Sequence, residues 1–200
     1  MPETTTPTID LTPTARAVAE LVRTVRDDQL AAPTPCPDMT VATLLDHLHG
    51  LAGAFRDAAT KTVPPGGSQS PQPSAEDLVP DWREAVPAVL DELAAAWTAP
   101  GAWEGMTQAG GLDLPGEVAG VVALDEIVLH GWDLAVATGR DFRPDDAAVA
   151  VVLEFTSSMS GPGQEEGRQG LFGPVVDVPG DAPAFERALG YSGRDPRWTP

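Results

Sequence analysis

Residues 123–135 read ALDEIVLHGWDLA, an aliphatic stretch of helical character that nonetheless carries Asp125, Glu126, His130 and Asp133. The whole chain has three histidines, so a carboxylate and an imidazole four residues apart are a notable pairing. On a helix, positions 126 and 130 lie one turn apart on the same face, and 133 continues the stripe. Two such side chains can chelate one divalent ion without backbone strain. An ordinary i, i+4 pair on a helix surface, or a hydrogen-bonded core histidine, explains the same spacing. Ile127, Val128, Leu129 and Trp132 leave little polar face for solvation, and an unpartnered buried carboxylate is costly, so a cation there would relieve the cost.

A third ligand has to come from another segment, and the remaining histidines, His47 and His49, both fall in a second helical pattern. That pattern runs from Thr40 to about Ala59, with Val41, Leu44, Leu45, Leu48, Leu51, Ala52 and Phe55 on one face. His47 and His49 flank its apolar arc on opposite sides at similar angles, so periodicity leaves the choice open.

Outward from these two segments, Thr12 and Pro13 form a cap and first-turn pair for a first helix carrying Val18, Leu21, Val22 and Val25. Ser74 with Asp77 reads as a capping-box start for a third helix through Trp97, with a kink or a late start expected from Pro80 and Pro87. The segments 63–74 and 98–117 read as long loops, the first without an apolar anchor. The helix holding Glu126 should begin near Pro115 and end before Gly139, and a shorter one should follow Pro144. The remainder is rich in Gly and Pro, with a short strand expected around Val175 and a short helix from Ala184 to Leu189. Four principal helices and few strand signals indicate an all-α bundle with a wrapped tail.

Composition narrows the function. Two hundred residues at 42% hydrophobic content suffice for one good core. A net charge of −18 argues against nucleic acid and against anionic membranes. The start lacks the pattern of an export signal, so the cytoplasm is the expected compartment. One cysteine, Cys36, excludes an internal disulfide and a cysteine-based zinc cluster, and a packed thiol is its expected role.

The stretches TPCPDMTVATLLDHLHG (34–50) and ALDEIVLHGWDLAVATGR (123–140) resemble the two motifs of an actinobacterial metal-binding family. That family is related to the N-terminal domain of mycothiol-dependent maleylpyruvate isomerase, within the DinB-like superfamily. FGPVVDVPGDAPAFERALGYSGRDPRW (172–198) is similar to its C-terminal segment, and Met39 stands where the family usually has Trp. The resemblance implies a DinB-like antiparallel four-helix bundle over 1–160 with a C-terminal extension, 161–200, packed on it as one domain. It also implies a divalent metal, zinc or nickel, on His47, Glu126 and His130, with one coordination position open. Relatives use such a metal to activate mycothiol or bacillithiol towards an electrophile. The implied function is therefore a thiol-dependent S-transferase or isomerase whose partners are a low-molecular-weight thiol and a small-molecule electrophile. Asp133 and Arg194 are the candidate catalytic residues: Asp133 would either hold a ligand histidine's far nitrogen or cap and pair near the helix end, and Arg194 would either reach over the site to an anionic substrate or anchor the tail by a salt bridge. Asp125 is expected to face water and His49 to be a solvated helix histidine. A non-catalytic metal-binding protein and a biosynthetic enzyme acting without thiol are the rival functions, and both a monomer and a homodimer are compatible with the sequence.

Overall fold

The computed structural model describes residues 9–200; residues 1–8, part of the stretch read above for an export signal, lie outside it. The all-α class is observed: seven α-helices among the described residues are accompanied by one small two-stranded sheet.

Helix α1 spans Thr12–Thr24. Thr12 is its first residue and not its cap; the Asp10 carboxylate accepts the Thr12 N–H at 2.9 Å, and Pro13, which has no N–H to leave unpaired, fits the first turn. Helix α2, Val41–Ala59, is capped by Thr40, the residue from which the sequence reading began it, whose Oγ1 accepts from Thr43 N. The apolar face read from the sequence is buried throughout, and Leu48 is wholly enclosed, so its truncation to alanine would cost about 2–5 kcal/mol. Past the helix end, Lys61 takes a left-handed conformation (φ 56°) and its Nζ donates to Ala102 O at 2.7 Å.

Helix α3 starts late, at Trp82, and runs to Trp97. Ser74 and Asp77 form an isolated turn instead of a helix start, because Pro80 removes a donor and disfavours helical geometry at Val79. Pro87 lies inside the helix without ending it.

The expected loop between Thr98 and Glu117 contains a hairpin: β1 (Met106–Ala109) pairs antiparallel with β2 (Leu112–Pro115). Its two-residue turn is Gly110–Gly111, with φ of 58° and 83°, the pair of left-handed conformations that a tight hairpin turn requires. The preceding loop is anchored to that turn by polar bonds: Ser70 Oγ donates to Gly110 O, and Ser68 Oγ accepts from Gly111 N. Further along, Ser74 N donates to Asp46 Oδ2 at 3.0 Å.

Helix α4, Gly116–Ala137, ends as expected at Gly139 (φ 68°): Arg140 N donates to Ala135 O and Gly139 N to Val136 O, a paired closure of otherwise orphaned carbonyls. Helix α5, Asp146–Ser158, is capped by Asp145. A short α6, Glu165–Arg168, has no counterpart in the sequence reading, while α7, Ala184–Tyr191, does. No strand forms around Val175; only Val176 N reaches a partner there, Gly190 O, because the residues of this segment have no second extended segment to pair with.

Helices α1 and α2 each pack on both α3 and α4, so the four long helices enclose one core, and α5 carries α7 against it. Among the described residues, no helix is long and apolar enough to cross a membrane.

Candidate metal centre

Helix α4 brings three polar side chains onto the wall it shares with α2. Glu126, 19% exposed, lies between two imidazoles: its Oε2 is 3.1 Å from His130 Nε2 and 3.6 Å from His47 Nε2. The rings of His47 and His130 meet edge to face with centroids 4.8 Å apart. His47 and His49 project in different directions from α2, and it is the His47 side that faces α4. His49 is not part of the cluster, so packing resolves what periodicity left open.

On its other side, His130 Nδ1 is 3.0 Å from Asp133 Oδ2. Asp133 is wholly buried and also receives Arg194, whose Nε donates to Oδ1 at 2.8 Å and Nη2 to Oδ2 at 2.7 Å. Two donors on one carboxylate keep it ionised. Burial pushes Asp133 upward, but the Arg194 guanidinium and the His130 hydrogen bond outweigh this and hold it at about 2. Burial likewise works against the Arg194 charge, and Asp133 more than restores it. Arg194, placed by the sequence either over the site or in a salt bridge, has its guanidinium engaged with Asp133, with Nη1 donating to Ser192 Oγ.

An ionised Asp133 fixes the tautomer of His130. With Nδ1–H committed to Asp133, a neutral ring presents Nε2 as a bare lone pair towards the Glu126 carboxylate. Two acceptors 3.1 Å apart repel unless a proton or a metal cation lies between them. In the metal-free chain the proton is favoured: burial favours the neutral ring, yet hydrogen bonds with Asp133, Cys36 and Glu126 raise His130 well above its usual value. Burial also raises Glu126, and the hydrogen bonds from His130 and His47 reverse this, leaving it well below the carboxylate range.

The donor set fits a metal as well as a proton. A tetrahedral cation with bonds of about 2.0–2.1 Å has ligand atoms about 3.3 Å apart, and the two Glu126 contacts, 3.1 and 3.6 Å, bracket that value. His47 Nδ1 is buried without a partner, so its ring is held only through Nε2, whereas His130 is held on both sides. A second trio, Cys36, His130 and Asp133, is equally compact. It is the poorer cage, because Asp133 is already paired with Arg194 and that cation lies 3.6 Å from the Cys36 sulfur.

Two residues differ from the sequence reading. Asp125, expected in water, is 2% exposed on the inner side of α4, its Oδ1 buried without a partner. Burial and the neighbouring Glu126 push its carboxyl well above the usual range, Arg194 and His130 offsetting only part of this. Cys36 does more than pack: its thiol donates to Asp133 Oδ2 at 3.4 Å. The Pro-Cys-Pro turn was the available signal, since prolines on both sides restrict the backbone that carries the thiol. Met39 packs against the core beside this turn.

Fold and site together define an all-α protein with an imidazole–carboxylate cluster buried between two helices. Residues 11–135 match the family described as the mycothiol maleylpyruvate isomerase N-terminal domain, and the chain belongs to that family. It is also 28% identical over 181 residues to an uncharacterized protein of Mycobacterium tuberculosis, in strains CDC 1551 / Oshkosh and ATCC 25618 / H37Rv, an overlap of 90% of this chain and 93% of each relative. These relatives are consistent with an actinobacterial family. No solved structure matches the chain significantly.

Proposed function

We propose that His47, Glu126 and His130 hold a divalent cation, zinc or nickel, with one coordination position left to a low-molecular-weight thiol of the mycothiol type, and that the protein transfers or isomerises a small electrophile through that thiol. The observation that carries this reading is the Glu126 carboxylate set between two Nε2 atoms at tetrahedral spacing, with one imidazole already oriented by Asp133. Two neutral imidazoles and one carboxylate suit zinc or nickel. Three protein ligands leave room for an exogenous one.

When bound, the cation would supply Lewis acidity, favouring the thiolate form of a thiol at the open position. The chain's own residues do the rest. Glu126 would offset one unit of the cation's charge and is partly exposed to solvent. Asp133 keeps the His130 lone pair directed at the site, and Arg194 keeps Asp133 in place, so both are positioning residues in this reading.

The test begins with metal content. His47→Ala, Glu126→Ala and His130→Ala should each remove most of the bound metal while the helical signal persists, and His49→Ala should retain it. Retention by the first three, or loss in His49→Ala alone, refutes the ligand set. The purified protein is then offered mycothiol with maleyl-type and bimane-type electrophiles. Metal-dependent conjugation or isomerisation supports the reading; tight metal without turnover leaves a binding protein, and turnover without thiol leaves a Lewis-acid enzyme.

A further inference from the structure

Arg168, the last residue of α6, is 8% exposed in a chain where acids outnumber bases 30 to 12, yet no carboxylate among the described residues pairs with it. Backbone carbonyls alone meet its charge: Nη1 donates to Met159 O at 3.1 Å, and Nη2 donates to Tyr191 O at 2.9 Å and to Gly173 O. The first two belong to the ends of α5 and α7, where a cation is electrostatically favoured. These bonds use three of the five guanidinium hydrogens. The Nε hydrogen and one on Nη1 have no acceptor among the described residues.

Beside this guanidinium opens a cleft of about 390 Å³, lined among others by Ser160, Glu165, Phe172, Pro174 and Val175. This volume is in the range of small-molecule sites. The walls are mainly apolar: Phe172 lies with its ring centroid 5.5 Å from the guanidinium carbon, and Val175 is 46% exposed. Glu165 sits at the exposed rim, where water screens its charge. A buried cation with donors to spare, lining a cleft shared with Phe172, Pro174 and Val175, is suited to an anion that also has an apolar body.

We infer that this cleft is a second small-molecule site, separate from the histidine–carboxylate centre, which takes an organic carboxylate with its charge on Arg168 and its body against Phe172 and Val175. The test uses the full chain with benzoate as the anionic probe and benzamide as the neutral probe of the same shape, followed by calorimetry and ligand-observed NMR. Benzoate should bind saturably and benzamide at least about tenfold more weakly. Val175→Asp, an exposed substitution that puts a like charge on the wall, should weaken benzoate about tenfold or more with the helical signal unchanged. Benzoate binding should also survive in His130→Ala, which removes a donor from the other centre. The inference is overturned if benzoate does not saturate, if benzamide binds equally well, if Val175→Asp has no effect, or if His130→Ala abolishes binding.

Discussion

Replacing Asp133 by Asn preserves shape while removing the charge that two buried groups share. In the native site, Oδ1 and Oδ2 accept Arg194 at 2.8 and 2.7 Å, and Oδ2 also faces His130 Nδ1 at 3.0 Å. Asn offers one acceptor and one amide donor, so at least one of these contacts becomes donor against donor, and the buried Arg194 loses its counter-charge. Deleting one partner of a buried ion pair costs about 3–5 kcal/mol. The titration of Asp133 provides a lower value. A carboxyl held at about 2, against 3.8 unperturbed, represents on the order of 2 kcal/mol. Because the folded value is depressed, that stabilisation is present above about pH 4 and is lost as pH falls towards 2. Protonation costs less than amidation because a carboxylic acid keeps an unpaired acceptor oxygen for Arg194. Urea unfolding of the metal-free protein at pH 7 should therefore show Asp133→Asn less stable by about 3–5 kcal/mol. A chelator competition should show metal affinity down about 10–100-fold, the usual consequence of losing the partner that orients a ligand histidine. A loss under about 1 kcal/mol with unchanged metal affinity would refute the role assigned to this carboxylate.

Asp125→Asn tests the buried carboxyl. Its folded value is raised, so its contribution is fully present below the unfolded value and declines as pH rises towards the folded one. In metal-free protein the Asn variant should be more stable than the parent at pH 8 and show a flatter pH–stability curve, measured by denaturant titration from pH 4 to 8. Gly139→Ala imposes a side chain at φ 68° and should cost about 1–2 kcal/mol in thermal or urea unfolding, with metal content unchanged because the cap is beyond the ligand turn. Gly110→Val should disrupt the hairpin turn, and the Trp97–Trp103 near-ultraviolet signal should report whether the damage stays local.

The sequence displayed most plainly what local periodicity governs. The apolar face of α2, the Thr40 cap, the Gly139 stop and the Asp145 start all depend on residues within a turn of one another. The hairpin was legible in principle, since Gly110–Gly111 between short alternating runs is a turn signal, but its strands are only four residues each. The late start of α3 turned on whether Pro80 or the Ser74–Asp77 pair would prevail, and the backbone restriction at Val79 did. At the centre, spacing alone placed Glu126, His130 and Asp133 on one stripe. It could not choose between His47 and His49, because that depends on which side of α2 meets α4. Nor could it place Asp125, since α4 is apolar nearly all round and is enclosed by α1, α2 and α5 together.

The Asp133–Arg194 pair spans 61 residues and the Asp133–Cys36 contact 97, so the local stripe of Glu126, His130 and Asp133 is completed by contacts from distant parts of the chain. Closing loops of that length costs chain entropy that neighbouring helices cannot defray until they have docked. The helices of this protein should therefore form and collapse rapidly, with the Cys36–Asp133–Arg194 contacts arriving last, so refolding followed by uptake of the proposed metal should lag behind refolding followed by helix content.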